Sequence, residues 1–206
     1  MLEVKNLSKS FEETGTLFEN VNLNLSPGEI IFLKGKSGSG KSQFLKAIVL
    51  LTAVEKGQIY FKNEKICEEN LPKMRSLIHF VAQNFSAQGM TVEEFLNEPL
   101  KFKIYKDIKI DFKGLFKDFH LKDSFLKKRI SLLSGGEKQM AHLIRSLSLN
   151  PEILLLDEPI SAMDPETKEL ALKVILKYLK EGGAVIWVTH DPPLLEGRVL
   201  KFPEFI

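Results

Sequence analysis

One cysteine, Cys67, is all that this chain of 206 residues contains. No internal disulfide can form, and a reducing compartment, the cytoplasm, is the expected home. No window approaches the roughly 18 uninterrupted apolar residues that span a bilayer. The first residues, Met1-Leu2-Glu3-Val4-Lys5-Asn6, have no basic segment leading into an apolar one, so no export signal is expected. Any tie to a membrane is then expected through a partner. An excess of one charge is lacking too. The 29 Lys and Arg nearly balance 27 Asp and Glu, and a net charge of +2 gives no ground for nucleic-acid binding. No internal repeat and no low-complexity linker divides the sequence.

What is present fits one domain, with or without an inserted lobe. Hydrophobic residues make up 44%, enough for a core, and charged residues 27%. Val21, Leu23 and Leu25 alternate with Asn22 and Asn24, the period of a half-buried strand, and Ser26-Pro27-Gly28 is a turn. Ile30-Ile31-Phe32-Leu33 is a continuous apolar run, as in a strand buried on both faces. Residues 44–51 predict a helix, and 58–61 and 76–81 predict strands. Between residues 91 and 129 strand signals fade. There Phe112, Leu115, Phe116 and Phe119 share one helical face, the core of a small helical lobe or a groove for a partner helix. The lysines of that segment are interleaved with Asp107, Asp111, Asp118 and Asp123, the mark of a solvated face. Met140, Leu143, Ile144 and Leu147 predict an amphipathic helix closed by Asn150-Pro151. Ile153-Leu154-Leu155-Leu156 is a second buried strand. Asp164-Pro165-Glu166 opens a helix that Gly182-Gly183 ends, and residues 184–189 form a third buried strand. Strands alternating with helices predict a mainly parallel sheet.

The chemistry begins at Gly35-Lys36-Ser37-Gly38-Ser39-Gly40-Lys41-Ser42, which fits the phosphate-loop template G-x-x-x-x-G-K-[ST] at every fixed position. Small residues let backbone N–H groups turn toward phosphates, and the following helix adds its positive end. Lys41 supplies a point charge to the β- and γ-phosphates, and the Ser42 hydroxyl a ligand for Mg²⁺. Gln43 lies just beyond the fixed positions. Asp157-Glu158 follows an apolar strand downstream of this loop. In that setting Asp157 holds Mg²⁺, and Glu158 accepts a proton from, or orients, the attacking water. Ser134-Gly135-Gly136 precedes a predicted helix, so its amides can meet an anion or simply cap the helix.

Leu133-Ser134-Gly135-Gly136-Glu137 lies between these two motifs, and with them the chain resembles the ATP-binding cassette (ABC) ATPases over roughly residues 2–202. The resemblance implies a P-loop NTPase core of α/β class with a mainly parallel sheet and an N-terminal antiparallel β subdomain. It implies one ABC ATPase domain over residues 1–206, with a helical lobe at about 84–150 inserted in the RecA-like core. It implies ATP and Mg²⁺ as cofactors. Ser134, Gly135 and Gly136 would face the γ-phosphate of ATP held by a second copy, or by a related ATPase subunit, in a head-to-tail dimer. Gln83 matches the glutamine that senses Mg²⁺ or the lytic water and hinges the lobe. His190, in Val188-Thr189-His190-Asp191, matches the histidine that contacts the γ-phosphate. Phe11 stands where the family stacks an aromatic ring on adenine. Ser161-Ala162-Met163-Asp164 resembles the loop that aligns the dimer. The nucleotide-binding set is then Phe11, Gly35, Lys36, Ser37, Gly38, Ser39, Gly40, Lys41, Ser42 and Gln43, completed by Ser134, Gly135 and Gly136. The catalytic set is Glu158, His190 and Gln83, and the metal set Ser42, Gln83 and Asp157. Lys36 for Pro and Ile160 for Thr are small departures from the family pattern.

The expected function is an ATP-hydrolysing subunit that dimerises on ATP and powers transport through a separate transmembrane permease. Such a subunit sits in the cytoplasm, peripheral on the inner face of the cell membrane. The permease would dock near residues 83–102. The run from Leu133 to Arg145 is similar to compact metal-export (iron-export-type) ATPases. A soluble ABC ATPase of iron–sulfur cluster assembly stays open as the alternative. A small kinase or GTPase has no need of Leu-Ser-Gly-Gly-Glu.

Overall fold

The computed structural model describes residues 1–11, 15–87, 89–105, 110 and 112–203, with the Phe11 side chain outside that set. The chain order of strands is β1 (Leu2–Phe11), β2 (Gly15–Leu25), β3 (Ile30–Lys34), β4 (Lys56–Phe61), β5 (Glu64–Lys65), β6 (Ile78–Val81), β7 (Ile153–Asp157), β8 (Ala184–Val188) and β9 (Arg198–Lys201). The α-helices are α1 (Lys41–Ile48), α2 (Leu71–Leu77), α3 (Val92–Asn97), α4 (Lys113–Asp118), α5 (Gly135–Ser148) and α6 (Pro165–Lys180).

Two sheets form. One is antiparallel, in the order β2-β1-β4-β5. The other runs β6-β7-β8-β3-β9, and every neighbouring pair in it is parallel. This is the α/β class expected from strands that alternate with helices. A parallel sheet needs cover on both faces, and the strand sequences supply it by alternation. Ile31, Leu33, Ile153, Leu155, Ile186 and Val188 pack with the antiparallel sheet and α1. Their neighbours Ile30, Phe32, Leu154, Leu156, Val185 and Trp187 pack with α3, α4, α5 and α6. Leu154, Leu155 and Leu156 are each 0% exposed, a burial worth about 2 kcal/mol apiece. The end of β7, where Asp157 stands, is therefore firmly anchored.

The phenylalanine face of the middle segment is core. Phe116 and Phe119 are buried, and Phe112 and Leu115 pack partly against the same cluster. Several boundaries shift by one to three residues. The strand expected from residue 76 begins at Ile78, because Ser76 and Leu77 close α2. The helix expected to reach residue 51 ends at Ile48. Asp164 caps α6 as expected, accepting from the Thr167 amide at 3.0 Å. Among the described residues no helix is long and apolar enough to cross a membrane.

Candidate nucleotide site at the ends of the parallel strands

The parallel strands end together, and their carboxyl ends carry the polar residues singled out in the sequence. β3 runs into the loop of residues 35–40, and α1 starts at Lys41. The helix cap is Gly40, at φ 95°, where a Cβ would lie 2.6 Å from the Leu17 side chain. Both the left-handed backbone and the close approach require glycine there. Lys41 is 5% exposed. Its ammonium donates to the carbonyls of Gly35 and Lys36, each at 2.9 Å, and so lies inside the loop. Burial lowers its pKa, while the nearby Glu158 and Asp157 charges oppose that shift. Lys36, Ser37 and Gly38 are exposed at the tip; Gly35, Ser39, Ser42 and Gln43 are half-buried.

The Ser42 hydroxyl donates to Asp157 Oδ1 at 2.9 Å across 115 residues of chain. Asp157 is 6% exposed, and burial raises its pKa, opposed by Ser42, Lys46, Lys41 and His190. A hydroxyl and a desolvated carboxylate, both hard oxygen donors in contact, fit Mg²⁺. A cation there would offset the cost of burying the carboxylate.

Glu158 follows with φ 49°, a left-handed conformation that costs a non-glycine residue on the order of 1 kcal/mol. Hydrogen bonds hold it on both sides. Its amide donates to the Val188 carbonyl at 3.0 Å, and its own carbonyl accepts from Gln139 Nε2 and Ser161 Oγ, both at 3.1 Å. The turn aims the side chain at Gln83 and His190. Gln83 Nε2 donates to Glu158 Oε2 at 2.9 Å, and His190 Nε2 lies 3.1 Å from Oε1. Thus Gln83, Glu158 and His190, from the ends of three adjacent strands, meet at one carboxylate. Gln83 bonds to Glu158 rather than to the Ser42–Asp157 pair.

Ser134, Gly135 and Gly136 make other contacts. Ser134 caps α5, accepting from the Glu137 amide at 3.1 Å while Glu137 Oε2 accepts from the Ser134 amide at 2.9 Å. Gly135 and Gly136 lie against Ala162 and Met163. Phe11 closes β1 opposite Gly15, and its side chain lies outside the described residues. Sequence reasoning missed Gln139, and it read Ser161 only as part of the loop that aligns the dimer. The clue was available for Gln139: it shares the buried stripe of α5 with Gly136, Met140 and Leu143, a polar residue where apolar ones are the rule.

Residues 18–161 match the family described as ABC transporter. Over 176 residues the chain is 36% identical to the probable iron export ATP-binding protein FetA of Escherichia coli, covering 85% of this chain and 78% of that protein. It is 34% identical over 205 residues to the uncharacterized ABC transporter ATP-binding protein MJ0796 of Methanocaldococcus jannaschii, covering 93% and 87%. A solved structure of MJ0796, described as a dimeric ABC transporter cassette, superposes with a TM-score of 0.82 at 33% identity, over 93% of this chain and 88% of that one. Another, described as a post-hydrolysis dimer bound to ADP and Pi, gives 0.81. Motif order, sheet topology and these likenesses agree: the chain belongs to the ABC transporter family, as an ATP-binding cassette ATPase.

Proposed function

We propose that this chain hydrolyses ATP as one half of a head-to-tail dimer and drives a separate transmembrane permease from the inner face of the membrane. The observation that carries the reading is the convergence of Gln83 and His190 on Glu158, beside the Lys41 loop and the Ser42–Asp157 pair. Residues 1–206 act as one ABC ATPase domain, in which residues 84–150 serve as the helical lobe.

The phosphates of ATP bind along the loop of residues 35–42, where Lys41 neutralises charge and the α1 amides donate. Mg²⁺ would be held by Ser42 and Asp157, with Gln83 alongside, and when bound it neutralises charge on the β- and γ-phosphates. Glu158, held by the Gln83 amide on one oxygen and close to His190 on the other, orients the attacking water and accepts its proton. His190 holds Glu158 and reaches the γ-phosphate. Ser134, Gly135 and Gly136 close the site from the facing copy, with the α5 amides aimed at the same phosphate. Phe11 stacks on adenine. Catalysis is positioning and charge neutralisation. The permease would dock near residues 83–102, where a mainly apolar groove of about 300 Å³ that also takes in Leu51, Arg75 and Tyr105 carries Phe102, 61% exposed, at its rim. Relatives are named for iron export and for arginine transport, so the proposal stops at transport and leaves the cargo open.

Ser134→Arg tests the reading. The bulky cation stands across the interface, so the isolated chain should bind ATP normally while turnover falls at least about 100-fold. Loss of the helix cap should cost only about 1 kcal/mol. Loss of ATP binding by the monomer would refute the trans geometry. Co-purification of the wild-type chain with a multi-span membrane protein rather than a soluble scaffold supports the permease; the reverse removes it.

A further inference from the structure

Gln139 lies on α5, remote in sequence from every motif residue that it touches. It is 7% exposed, and both ends of its amide are used. Nε2 donates to the Glu158 carbonyl at 3.1 Å and to Ser161 Oγ at 3.0 Å, and Oε1 accepts from the Ala162 amide at 2.9 Å. The orientation is unambiguous, because a carbonyl needs a donor and an amide N–H an acceptor. Ser161 Oγ donates to the same Glu158 carbonyl at 3.1 Å. The left-handed turn that aims Glu158 is thus pinned from α5.

The helix also touches this loop one turn earlier. A Cβ at Gly136 would lie 2.8 Å from the Ala162 carbonyl oxygen and 3.0 Å from the Met163 Cα. The first turn of α5 therefore rests on the backbone of residues 162–163, and only glycine allows that approach. Gly135, Gly136 and Gln139 fall at helical spacing on one face, and all three face the loop that follows Glu158. Packed backbone on backbone is stiff, so a shift at the Ser134 end of α5 is passed on rather than absorbed.

We propose that Gln139 is a positioning residue for Glu158 of its own chain, so that what α5 meets at Ser134 sets the aim of the carboxylate one loop away. The proposal rests on the reading of Glu158 as the water-orienting group. In a dimer it supplies a direct path between the two sites. The second copy's phosphate draws on the helix end; α5 moves; Gln139 and Gly136 carry the movement into residues 158–163. No long chain of residues is needed, since a single side chain joins the helix to the catalytic turn.

The test is Gln139→Leu in the full-length chain, read by steady-state ATP turnover and by equilibrium binding of ATP to the isolated chain. The expected result is a kcat lower by about 10- to 100-fold, because small misplacement of a catalytic group carries losses of that order. The Kd for ATP should stay within about twofold, since Gln139 touches no phosphate-loop residue. In a Glu158→Gln background, Gln139→Leu should lower residual turnover by less than about twofold, because its target is already gone. An equal rise in Kd, an unchanged kcat, or a full multiplicative loss in that background each overturns the proposal. If Gln139→Leu does not accumulate as folded protein, Ser161→Ala carries the test at an exposed position. It removes the second side-chain donor to the Glu158 carbonyl and leaves the Ser161 amide, 3.3 Å from that oxygen, in place; a several-fold loss of kcat at unchanged Kd is expected, and unchanged kcat overturns. Full turnover in Glu158→Gln would instead bring down the catalytic reading itself. Inactive Glu158→Gln beside active Gln139→Leu removes the positioning role alone.

Discussion

Two histidine-bearing clusters flank the same parallel sheet, and water treats them oppositely. At the carboxyl ends of β7 and β8, His190 keeps half of its side chain exposed and lies 3.1 Å from the Glu158 carboxylate. Along the edge strand β6, His79 is 8% exposed. Its Nδ1 meets the Ser146 carbonyl at 3.1 Å, and its Nε2 meets the Tyr105 hydroxyl at 3.2 Å. His142 packs nearby against Phe85, with ring centroids 4.6 Å apart and the planes tilted by 56°, and is held by the backbone of Ala82. Burial pushes both of these histidines down to about 4, aided by the Arg145 charge. The first cluster gathers charge where solvent can enter, as chemistry on ATP requires. The second spends neutral imidazoles as hydrogen-bonding struts between β6, α5 and the segment holding Tyr105. The residue type is the same, and access to water decides its work.

The largest expected effect belongs to the open cluster. Glu158→Gln keeps the shape of the side chain and removes its charge. Turnover should fall at least about 100-fold, the scale of a lost general base, while ATP binding persists and an ATP-bound dimer accumulates. Size-exclusion chromatography with light scattering and a phosphate-release assay read both outcomes. Near-normal turnover would dissolve the contrast, since the open cluster would then be as structural as the buried one.

Sequence made the two clusters legible to different degrees. Gly35 to Ser42 and Asp157-Glu158 could be read directly, because a strand, a loop and a helix start are local patterns. The fold class followed from the same alternation. Gln83 and His190 were visible only through resemblance, and their meeting at Glu158 spans 75 residues in the first case. No periodicity encodes such a contact. His79 and His142 carried no motif, and burial by α5, Phe85 and Tyr105 is a tertiary fact. The boundary at residue 78 slipped for a related reason: Leu77 and Ile78 are both apolar and serve a helix end as well as a strand.

Acid sharpens the comparison next. The folded chain holds His79 and His142 near 4, whereas the unfolded chain protonates near 6.5. Their contribution is fully present above about pH 6.5 and is lost as pH falls through about 4. At pH 5 each should cost roughly 2 kcal/mol of stability relative to pH 7. His142→Phe extends the Phe85–Phe95 stack and also removes the buried Nδ1 that lacks a partner. Urea midpoints at pH 7 and pH 5 should differ by about half as much in this variant as in the wild type. Equal differences would show that His142 is not titrating as buried.

The smallest effect separates structure from chemistry. A neutral His79 has one N–H, and the Ser146 carbonyl can only accept, so that proton sits on Nδ1. Nε2 is then the acceptor, and the Tyr105 hydroxyl, 3.2 Å away, shares its one proton between that nitrogen and the Arg75 carbonyl at 3.3 Å. Tyr105→Phe keeps the ring in its place and strands the imidazole nitrogen. Stability should fall by about 1 kcal/mol, the cost of one unmet buried acceptor. ATP turnover should stay within about twofold, because no bond links this hydroxyl to the Glu158 cluster. A tenfold loss of turnover at unchanged stability would mean that the edge strand transmits to the strand ends, and the two clusters would have to be treated as one device.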